Sequence, residues 1–320
     1  MTSAATKDKG GLFGGLGRWL DVVPHPEPVI EISPNQIAVA RWNGGNVESH
    51  ASESLEAGAV MPSPVETNIT QPDGVRRALQ RALARVGDLS GHAALLVPDP
   101  VVRVFILPFE DLPRRSDEAL PLLRWRLKKS VPFDVEETAV SWVRQTARNG
   151  SLEVVAAVAR QSVIREYESL LEGFAVQPSV VLSSTLASLP LVGESGSTLL
   201  MRLSGRTLTT AIVRETTLCL YRSTEMPARA NELDPKWVLE EIFPATAYYQ
   251  DVWGGAIDRA LLSGFQSRHE IFETAIENDL KIATRQLSAG EGASGLHASA
   301  QNLMKQGLDP LVGWMTNAGA

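Results

Sequence analysis

Apolar and polar residues alternate along two stretches of this sequence, and the alternation predicts two similar sets of three β-strands. Such alternation is typical of strands that bury one face, and residues that favour tight turns separate the members of each set. The sets span 29–32, 37–42 and 47–54, and then 199–203, 207–213 and 217–222. After each set come an apolar stripe at helical spacing (75–86 and 235–253) and a short apolar strand (92–97 and 260–264). The sequence therefore predicts two related α/β halves.

A different pattern interrupts the first half after residue 100. A strand over 101–108 precedes a helix whose apolar face carries Leu120, Leu123, Leu127 and Val131. Pro121 is unfavourable inside a helix, so this pattern favours a regular helix that begins at Pro121 and ends at Val131. Strands over 139–146 and 152–159 follow, and the turn over 148–150 predicts a hairpin. Helices over 161–172 and 269–280 and a strand over 176–182 complete the predicted elements.

Composition narrows the class of protein. The chain has 320 residues, 44% hydrophobic and 21% charged, which is typical of a soluble globular protein. Its net charge of −7 argues against a nucleic-acid binder that depends on phosphate neutralisation. The single cysteine, Cys219, lies in a predicted strand and is interpreted as a small core residue. No transmembrane run or secretory signal is recognised, so the predicted location is the cytoplasm.

The two ends of the chain differ from the predicted domains. Residues 1–28 contain a weak amphipathic segment and a proline-rich linker. The apolar face of this segment has two interpretations: contact with a membrane surface or partner, or packing against the rest of the protein. Its residues are Leu12, Phe13, Leu16, Trp19 and Leu20. Residues 289–320 are predicted to form a linker and a short terminal helix of unassigned purpose.

The sequence contains no P-loop, no zinc-protease motif and no nucleophile elbow, and its five histidines are too far apart to suggest a metal site. A basic cluster along the inserted helix has more than one interpretation: a solvated face, or a contact surface for an acidic partner or for anionic lipid. Its members are Arg114, Arg115, Arg124, Arg126, Lys128 and Lys129. Trp125 lies off the apolar stripe, so it either packs against the hairpin or lines a binding groove, and the same alternatives hold for Trp142.

Three segments, residues 95–108, 123–133 and 153–160, resemble the PilM-like family of type IV pilus assembly proteins, which is related to the cell-division protein FtsA. The resemblance implies an α/β, actin-like (ribonuclease-H-like) two-domain fold with a small α+β subdomain inserted in the first domain. It divides the chain into a first domain (29–100 and 176–195), an inserted subdomain (101–175) and a second domain (196–288). In the family, the inserted subdomain helps to form a groove that receives the cytoplasmic tail of the membrane protein PilN.

The resemblance also draws attention to the nucleotide site, where this sequence departs from actin-like ATPases. Those enzymes hold Mg-ATP between two hairpins rich in small and acidic residues. Here Pro34 removes a backbone donor from the first turn, and Arg202 stands where the second hairpin usually offers an aspartate. The adenosine loop keeps one glycine, Gly264. The candidate cofactor-binding residues are Ser204, Gly205, Arg206 and Gly264, and Arg202 with Arg206 is a candidate anion site.

The resulting hypothesis is a non-catalytic cytoplasmic scaffold, without metal or catalytic residues, held at the inner face of the inner membrane by a PilN-like protein. Other pilus platform or motor proteins are further expected partners. The alternatives are an active Mg-ATP-dependent actin-like ATPase of pilus assembly and a GspL-like component of type II secretion. The candidate partner-binding residues are Arg103, Phe105, Arg124, Trp125, Lys128 and Trp142.

Overall fold

Two five-stranded sheets with the same strand order form the body of the protein. The computed structural model describes residues 26, 28–43, 46–87, 89–227, 234–289 and 296–317. The first sheet contains β1 Val29–Ile32, β2 Gln36–Asn43, β3 Asn46–Ser54, β4 Gly91–Val97 and β8 Val176–Ser183, in the order β3-β2-β1-β4-β8. The second contains β9 Ser197–Ser204, β10 Thr207–Arg214, β11 Thr217–Glu225, β12 Arg259–Ser263 and β13 Ala283–Gln286, in the order β11-β10-β9-β12-β13.

In each sheet an antiparallel meander of three strands is extended by two parallel strands. The predicted duplication of an α/β half is confirmed. The sequence pattern missed β13, because its four residues, Ala-Thr-Arg-Gln, show no clear alternation.

The described helices pack mainly on the outer faces of the sheets and between the two halves. Their bounds are α1 Pro72–Val86, α2 Ser116–Leu127, α3 Gln161–Ser169, α4 Ser184–Ser188, α5 Pro235–Trp253, α6 His269–Leu280, α7 Ala298–Lys305 and α8 Asp309–Asn317. Helix α1 begins with a proline in its first turn, where the missing N–H costs little, and it buries Val75, Leu79 and Leu83 against the first sheet.

The inserted subdomain is a three-stranded antiparallel sheet covered by α2. Its strands are β5 Arg103–Phe109, β6 Thr138–Thr146 and β7 Leu152–Arg160, in the order β5-β7-β6. Leu123 and Leu127 of α2 pack on the β7 residues Val154 and Ala156. The predicted turn between β6 and β7 is confirmed, with Gly150 at a φ of 83°.

The expected start of α2 at Pro121 is wrong. The helix begins five residues earlier, at Ser116, and it ends at Leu127 rather than at Val131. Pro121 removes one backbone hydrogen bond, but the helix still buries Ala119, Leu123 and Leu127. Burial of this apolar face outweighs the local preference of a single residue.

The C-terminal segment belongs to the core. Two helices, α7 and α8, form where the sequence predicted a linker and one short helix. Trp314 of α8 is 2% exposed, and its indole N–H donates to the carbonyl oxygen of Pro26 at 3.4 Å. Helix α8 packs against α4 and against the first sheet, so this helix lies where the two halves meet.

The N-terminal amphipathic segment of Leu12, Phe13, Leu16, Trp19 and Leu20 lies outside the described residues. Within the described ranges, no helix is both long enough and apolar enough to cross a membrane. Cys219 is buried, as its position in a predicted strand implied, and burial raises the pKa of its thiol to about 12.

Asp258, just before β12, is hydrogen-bonded to Ser197, the first residue of β9. Its Oδ2 accepts hydrogen bonds from the Ser197 backbone N–H at 2.7 Å and from the Ser197 hydroxyl at 2.8 Å. These bonds stabilise the charged carboxylate and hold the pKa of Asp258 below its ordinary value of 3.8. The stabilisation is therefore fully present above pH 3.8 and is lost as the pH falls through the lower pKa of the folded state.

We expect Asp258→Asn to lower the free energy of unfolding at neutral pH and to make the loss of stability below pH 3.8 less steep. Urea unfolding across the acid range measures both effects. Glu56→Gln, at an exposed loop position, is the matched control and should leave both unchanged. An Asp258→Asn variant with the acid profile of the wild type would contradict this role.

Candidate functional site

Four charged side chains from distant parts of the chain meet in the cleft between the two halves. We call this group the cleft cluster: Glu31 of β1, Asp99 in the turn after β4, Arg202 of β9 and Asp309 at the start of α8. Each is at most 4% exposed. Buried charges of this kind are stable only when they are paired and hydrogen-bonded.

The Arg202 guanidinium lies at the centre of the cleft cluster. Its Nη2 donates to Glu31 Oε1 at 2.9 Å, its Nε lies 3.5 Å from Asp309 Oδ2, and its Nη1 lies 3.9 Å from Asp99 Oδ2. Nε and Nη1 are buried without a hydrogen bond of their own. One guanidinium therefore faces three carboxylates, with one hydrogen bond and two longer charge contacts.

Hydroxyl groups complete the coordination of the three carboxylates. Asp99 accepts from Thr185, from Thr209 and from the Tyr221 phenol, at 2.6 to 3.0 Å. The other two carboxylates accept from serines: Asp309 from Ser188 and Ser263, both at 2.6 Å, and Glu31 from Ser184 at 2.8 Å. Thr209 and Ser263 are the neighbours of Arg202 on the adjacent strands, so the sheet register itself places these donors.

The electrostatics of the cleft cluster are strongly coupled. Burial raises the pKa of the Glu31 carboxyl, against the lowering effects of the Arg202 charge and of the Ser184 hydrogen bond. Burial acts to lower the pKa of Arg202, but Asp309, Glu31 and Asp99 outweigh it and raise that pKa. Arg202 is therefore a permanent cation fixed between the two halves.

The predicted nucleotide hairpins lie against each other at this cleft. A Cβ atom placed on Gly205, in the β9–β10 turn, would be 3.0 Å from Cγ of Pro34, in the β1–β2 turn. Ser204 and Gly205 are partly buried in that turn, and Arg206 turns back to donate to the carbonyl oxygens of Met226 and Pro227. The candidate anion site is not assembled, since Arg202 is surrounded by carboxylates instead.

The adenosine side of the cleft is also closely packed. Gly264 has a φ of 78°, and a Cβ atom there would be 2.0 Å from the carbonyl oxygen of Leu203, so only glycine fits. The cavity beside Gly264 measures about 30 Å³ and extends to Asp309 and Lys305. A cavity of this size is large enough to hold water.

These residues do not fit Mg-ATP. A magnesium ion needs oxygen ligands close together, whereas a guanidinium separates the carboxylates here. Among the described residues, no group of three or more His, Cys, Asp or Glu side chains is arranged to hold a metal ion. Pro34 of the first hairpin also packs against Gly205 of the second.

The six candidate partner-binding residues all lie in the inserted subdomain, at two places. Arg103 and Phe105 are two residues apart on β5, so they point to the same side of the sheet. Phe105 and Trp142 are both paired with Ala156 of β7. These three residues therefore share the sheet face that α2 covers, where Phe105 and Trp142 are partly buried.

The other three candidates lie on and after α2. Arg124 is half-buried and contacts Glu136 at 3.3 Å and the Thr138 carbonyl oxygen at 3.4 Å. Trp125 is 73% exposed, so the alternative in which it packs against the hairpin is wrong. Lys128, just after the helix, is exposed.

Sequence reasoning missed Asp99, Asp309 and Tyr221 as parts of the site. Asp99 carried a usable signal, because it directly follows a buried parallel strand, and functional residues of α/β sheets gather at such ends. Asp309 carried no such signal, since its nearest partner, Ser263, is 46 positions away in sequence.

Comparisons with known proteins give a fold. No family model matches the sequence, and no curated protein matches it. A solved PilM–PilN type IV pilus biogenesis complex is similar over 93% of this chain and 100% of that chain, with 15% identity and a TM-score of 0.74.

Two further structures are similar at lower scores. The ethanolamine utilization protein EutJ from Carboxydothermus hydrogenoformans has 9% identity and a TM-score of 0.51, over 95% of this chain and 97% of that chain. A Bacteroides thetaiotaomicron protein with an actin-like ATPase fold and unknown function has 10% identity and a TM-score of 0.50, over 82% and 91%. The chain therefore has a PilM-like, actin-like fold, as its sequence predicted.

Proposed function

We propose that this chain, which has the fold of PilM, is a non-catalytic scaffold of a type IV pilus assembly platform. In this proposal it binds the cytoplasmic tail of a PilN-like membrane protein, which holds it at the inner face of the inner membrane. The likeness to the solved PilM–PilN complex over nearly the whole of both chains supports the choice of partner.

The absence of catalysis in this proposal depends on one observation, the position of Arg202 in the cleft. Its guanidinium supplies the positive charge that a magnesium ion supplies in an actin-like ATPase, and it is fixed there by three carboxylates. The contact of Pro34 with Gly205 agrees with this interpretation.

The inserted subdomain has the properties of a peptide-binding platform. It offers a large exposed aromatic side chain, Trp125, with cationic side chains nearby, and tryptophan and arginine are frequent energetic anchors in interfaces. Its other sheet face is fixed to the second half: the Gln145 amide donates to the Leu218 carbonyl oxygen at 2.8 Å and accepts from the Leu218 N–H at 3.2 Å. A tail bound there would be connected rigidly to the whole protein.

Titration calorimetry with a synthetic peptide of the partner's cytoplasmic tail tests the binding site. We expect the full chain to bind the peptide, and we expect Trp125→Ala and Arg124→Glu each to weaken binding at least about tenfold. Met61→Ala, at an exposed apolar position of the first half, is the control and should bind as the wild type does. A wild-type chain that does not bind the tail would remove this part of the proposal.

A separate titration with Mg-ATP tests the non-catalytic part. We expect neither magnesium-dependent binding nor turnover, because the carboxylates that would hold the metal face the Arg202 guanidinium instead. Micromolar binding with turnover would favour the ATPase alternative, whatever the outcome with the tail peptide.

A further inference from the structure

The last turns of helix α2 present a row of exposed apolar and cationic side chains. Leu122, Trp125, Arg126 and Lys129 occupy positions i, i+3, i+4 and i+7, so they lie along one side of the helix and of the turn after it. Leu122 is 44% exposed and Trp125 is 73% exposed, and both cations are exposed as well. We call these four residues the α2 ridge.

The α2 ridge points away from the sheet that α2 covers. The buried residues Ala119, Leu123 and Leu127 form the inner side of the helix. Arg124 lies on the flank opposite to the ridge, where it contacts Glu136 at 3.3 Å. The acidic turn that follows α2 therefore packs on the Arg124 flank and leaves the ridge open.

Cations outnumber acidic residues over the segment that carries the ridge. Residues 114–133 contain six Arg or Lys residues and two acidic ones, Asp117 and Glu118. Glu118 shares the side of the ridge, one turn before Leu122. Both acidic residues lie at the start of the helix, where Arg115 is 2.7 Å from Asp117 and 3.6 Å from Glu118. Residues 119–133, which include the whole ridge, contain no acidic residue.

The net charge of −7 does not oppose a local contact of this ridge with an anionic surface. At physiological ionic strength, charges are screened over a distance of about 8 Å. The acidic residues of 110–111 lie beyond the start of α2, and a helix of this length spans about 18 Å. The charges that act on a surface in contact with the ridge are therefore mainly those of its own cations.

We propose that the α2 ridge binds the surface of a membrane that contains anionic phospholipids. Arg126 and Lys129 meet the phosphate groups of the lipid heads, while Trp125 and Leu122 enter the headgroup region. Tryptophan favours this region because its ring is apolar and its N–H donates a hydrogen bond. Long cationic side chains can bury their stems there and keep their charged ends in water.

The position of the proposed tail site supports lipid over an acidic protein as the partner of the ridge. Arg124 and Lys128, two of the tail-site candidates, lie on the opposite flank of the same helix, and Trp125 lies between the two flanks. The tail of a membrane protein bound there would hold α2 close to the bilayer and raise the effective concentration of lipid at the ridge. This step rests on the proposed function, whereas the charge argument does not.

Co-sedimentation of the full chain with lipid vesicles tests the inference. We expect binding to vesicles of phosphatidylglycerol and phosphatidylcholine in equal parts, at about millimolar accessible lipid, since the ridge is short. Binding to pure phosphatidylcholine should be at least about tenfold weaker, because those heads carry no net charge. Raised salt should weaken binding to the anionic vesicles.

Charge reversal locates the contact on the ridge. We expect Arg126→Glu with Lys129→Glu to weaken binding to the anionic vesicles at least about tenfold. Arg77→Glu with Lys236→Glu makes the same change in net charge, at exposed positions of α1 and α5, and should bind as the wild type does. Both variants keep the N-terminal amphipathic segment, so a difference between them reports on α2 alone.

The reversed ridge variant should still bind the tail peptide as the wild type does, since neither Arg126 nor Lys129 is among the six tail-site candidates. A wild-type chain that does not bind the anionic vesicles would overturn the inference. So would a ridge variant, folded by circular dichroism, that binds them as tightly as the wild type. The vesicles contain no partner protein, so failure of lipid binding and failure of tail binding are distinguishable.

Discussion

Arg202→Ala is expected to lower the free energy of unfolding by about 3–5 kcal/mol, the range found when one partner of a buried ionic group is removed. Glu31, Asp99 and Asp309 would then remain buried without the cation that faces all three. Their hydroxyl partners satisfy some lone pairs but carry no positive charge. Urea unfolding at neutral pH, followed by circular dichroism, measures the loss.

A surface arginine is the matched control, because its substitution removes an arginine without leaving buried carboxylates behind. Arg222 pairs with Glu241 at 3.2 Å on the surface, where its side chain is 50% exposed. Arg222→Ala should therefore cost no more than about 1 kcal/mol. If Arg202→Ala lowers the free energy of unfolding as little as Arg222→Ala does, the cleft cluster does not hold the two halves together.

The cleft cluster also connects the two halves of the protein. Glu31 and Asp99 belong to the first half, Arg202 to the second, and Asp309 to the helix that returns to the first sheet. An ionic network built into the chain thus connects the elements that surround the cleft. Buried networks of this kind contribute conformational specificity in some proteins, which is the role we assign to this one.

The repeated architecture could be predicted from the sequence because its signals are local. Alternation over 29–54 and over 199–222 identifies strands, and turn residues such as Gly205 identify the connections. The apolar residues at helical spacing correctly predicted both ends of α5, Pro235 and Trp253. Each of these signals lies within a few residues of the element that it predicts.

The contents of the cleft could be predicted only in part. The family resemblance implied an acidic residue where Arg202 stands, but the sequence could not show what surrounds that arginine. Asp309 is 107 positions away from Arg202 in sequence, and the pattern around it suggested only a terminal helix. Contacts between such distant residues are set by tertiary packing, which hydrophobic periodicity does not encode.

The same limit applies to the inserted subdomain. Helical spacing correctly placed Trp125 off the buried stripe, on the side of Leu122. It could not decide whether another element covers that side, because coverage depends on the position of the hairpin. Pro121 shows the converse case, in which a strong local rule was overruled by the burial of Leu123 and Leu127.

Gly313→Ala is the second substitution with a large expected effect. We expect it to lower the free energy of unfolding, although helix propensity alone would raise it. Gly313 lies inside α8, where alanine is intrinsically better than glycine by about 1 kcal/mol. A Cβ atom at this position, however, would be 2.1 Å from the carbonyl oxygen of Ala187 and 2.9 Å from Cα of Ser188, both in α4. These are backbone atoms, so no change of side-chain rotamer relieves the contact.

The two helices must therefore separate in this variant, and α8 carries both Asp309 and the buried Trp314 away from their contacts. We expect a loss of about 3 kcal/mol or more in urea unfolding, at the upper end of the cost of overpacking. Exposure of Trp314 should shift the tryptophan fluorescence to longer wavelength. Gly255→Ala is the matched control, because a Cβ atom there meets nothing within 4 Å, and it should leave stability nearly unchanged. A Gly313→Ala variant as stable as the wild type would show that α8 does not cross α4 this closely, and the placement of Asp309 in the cleft cluster would then be wrong as well.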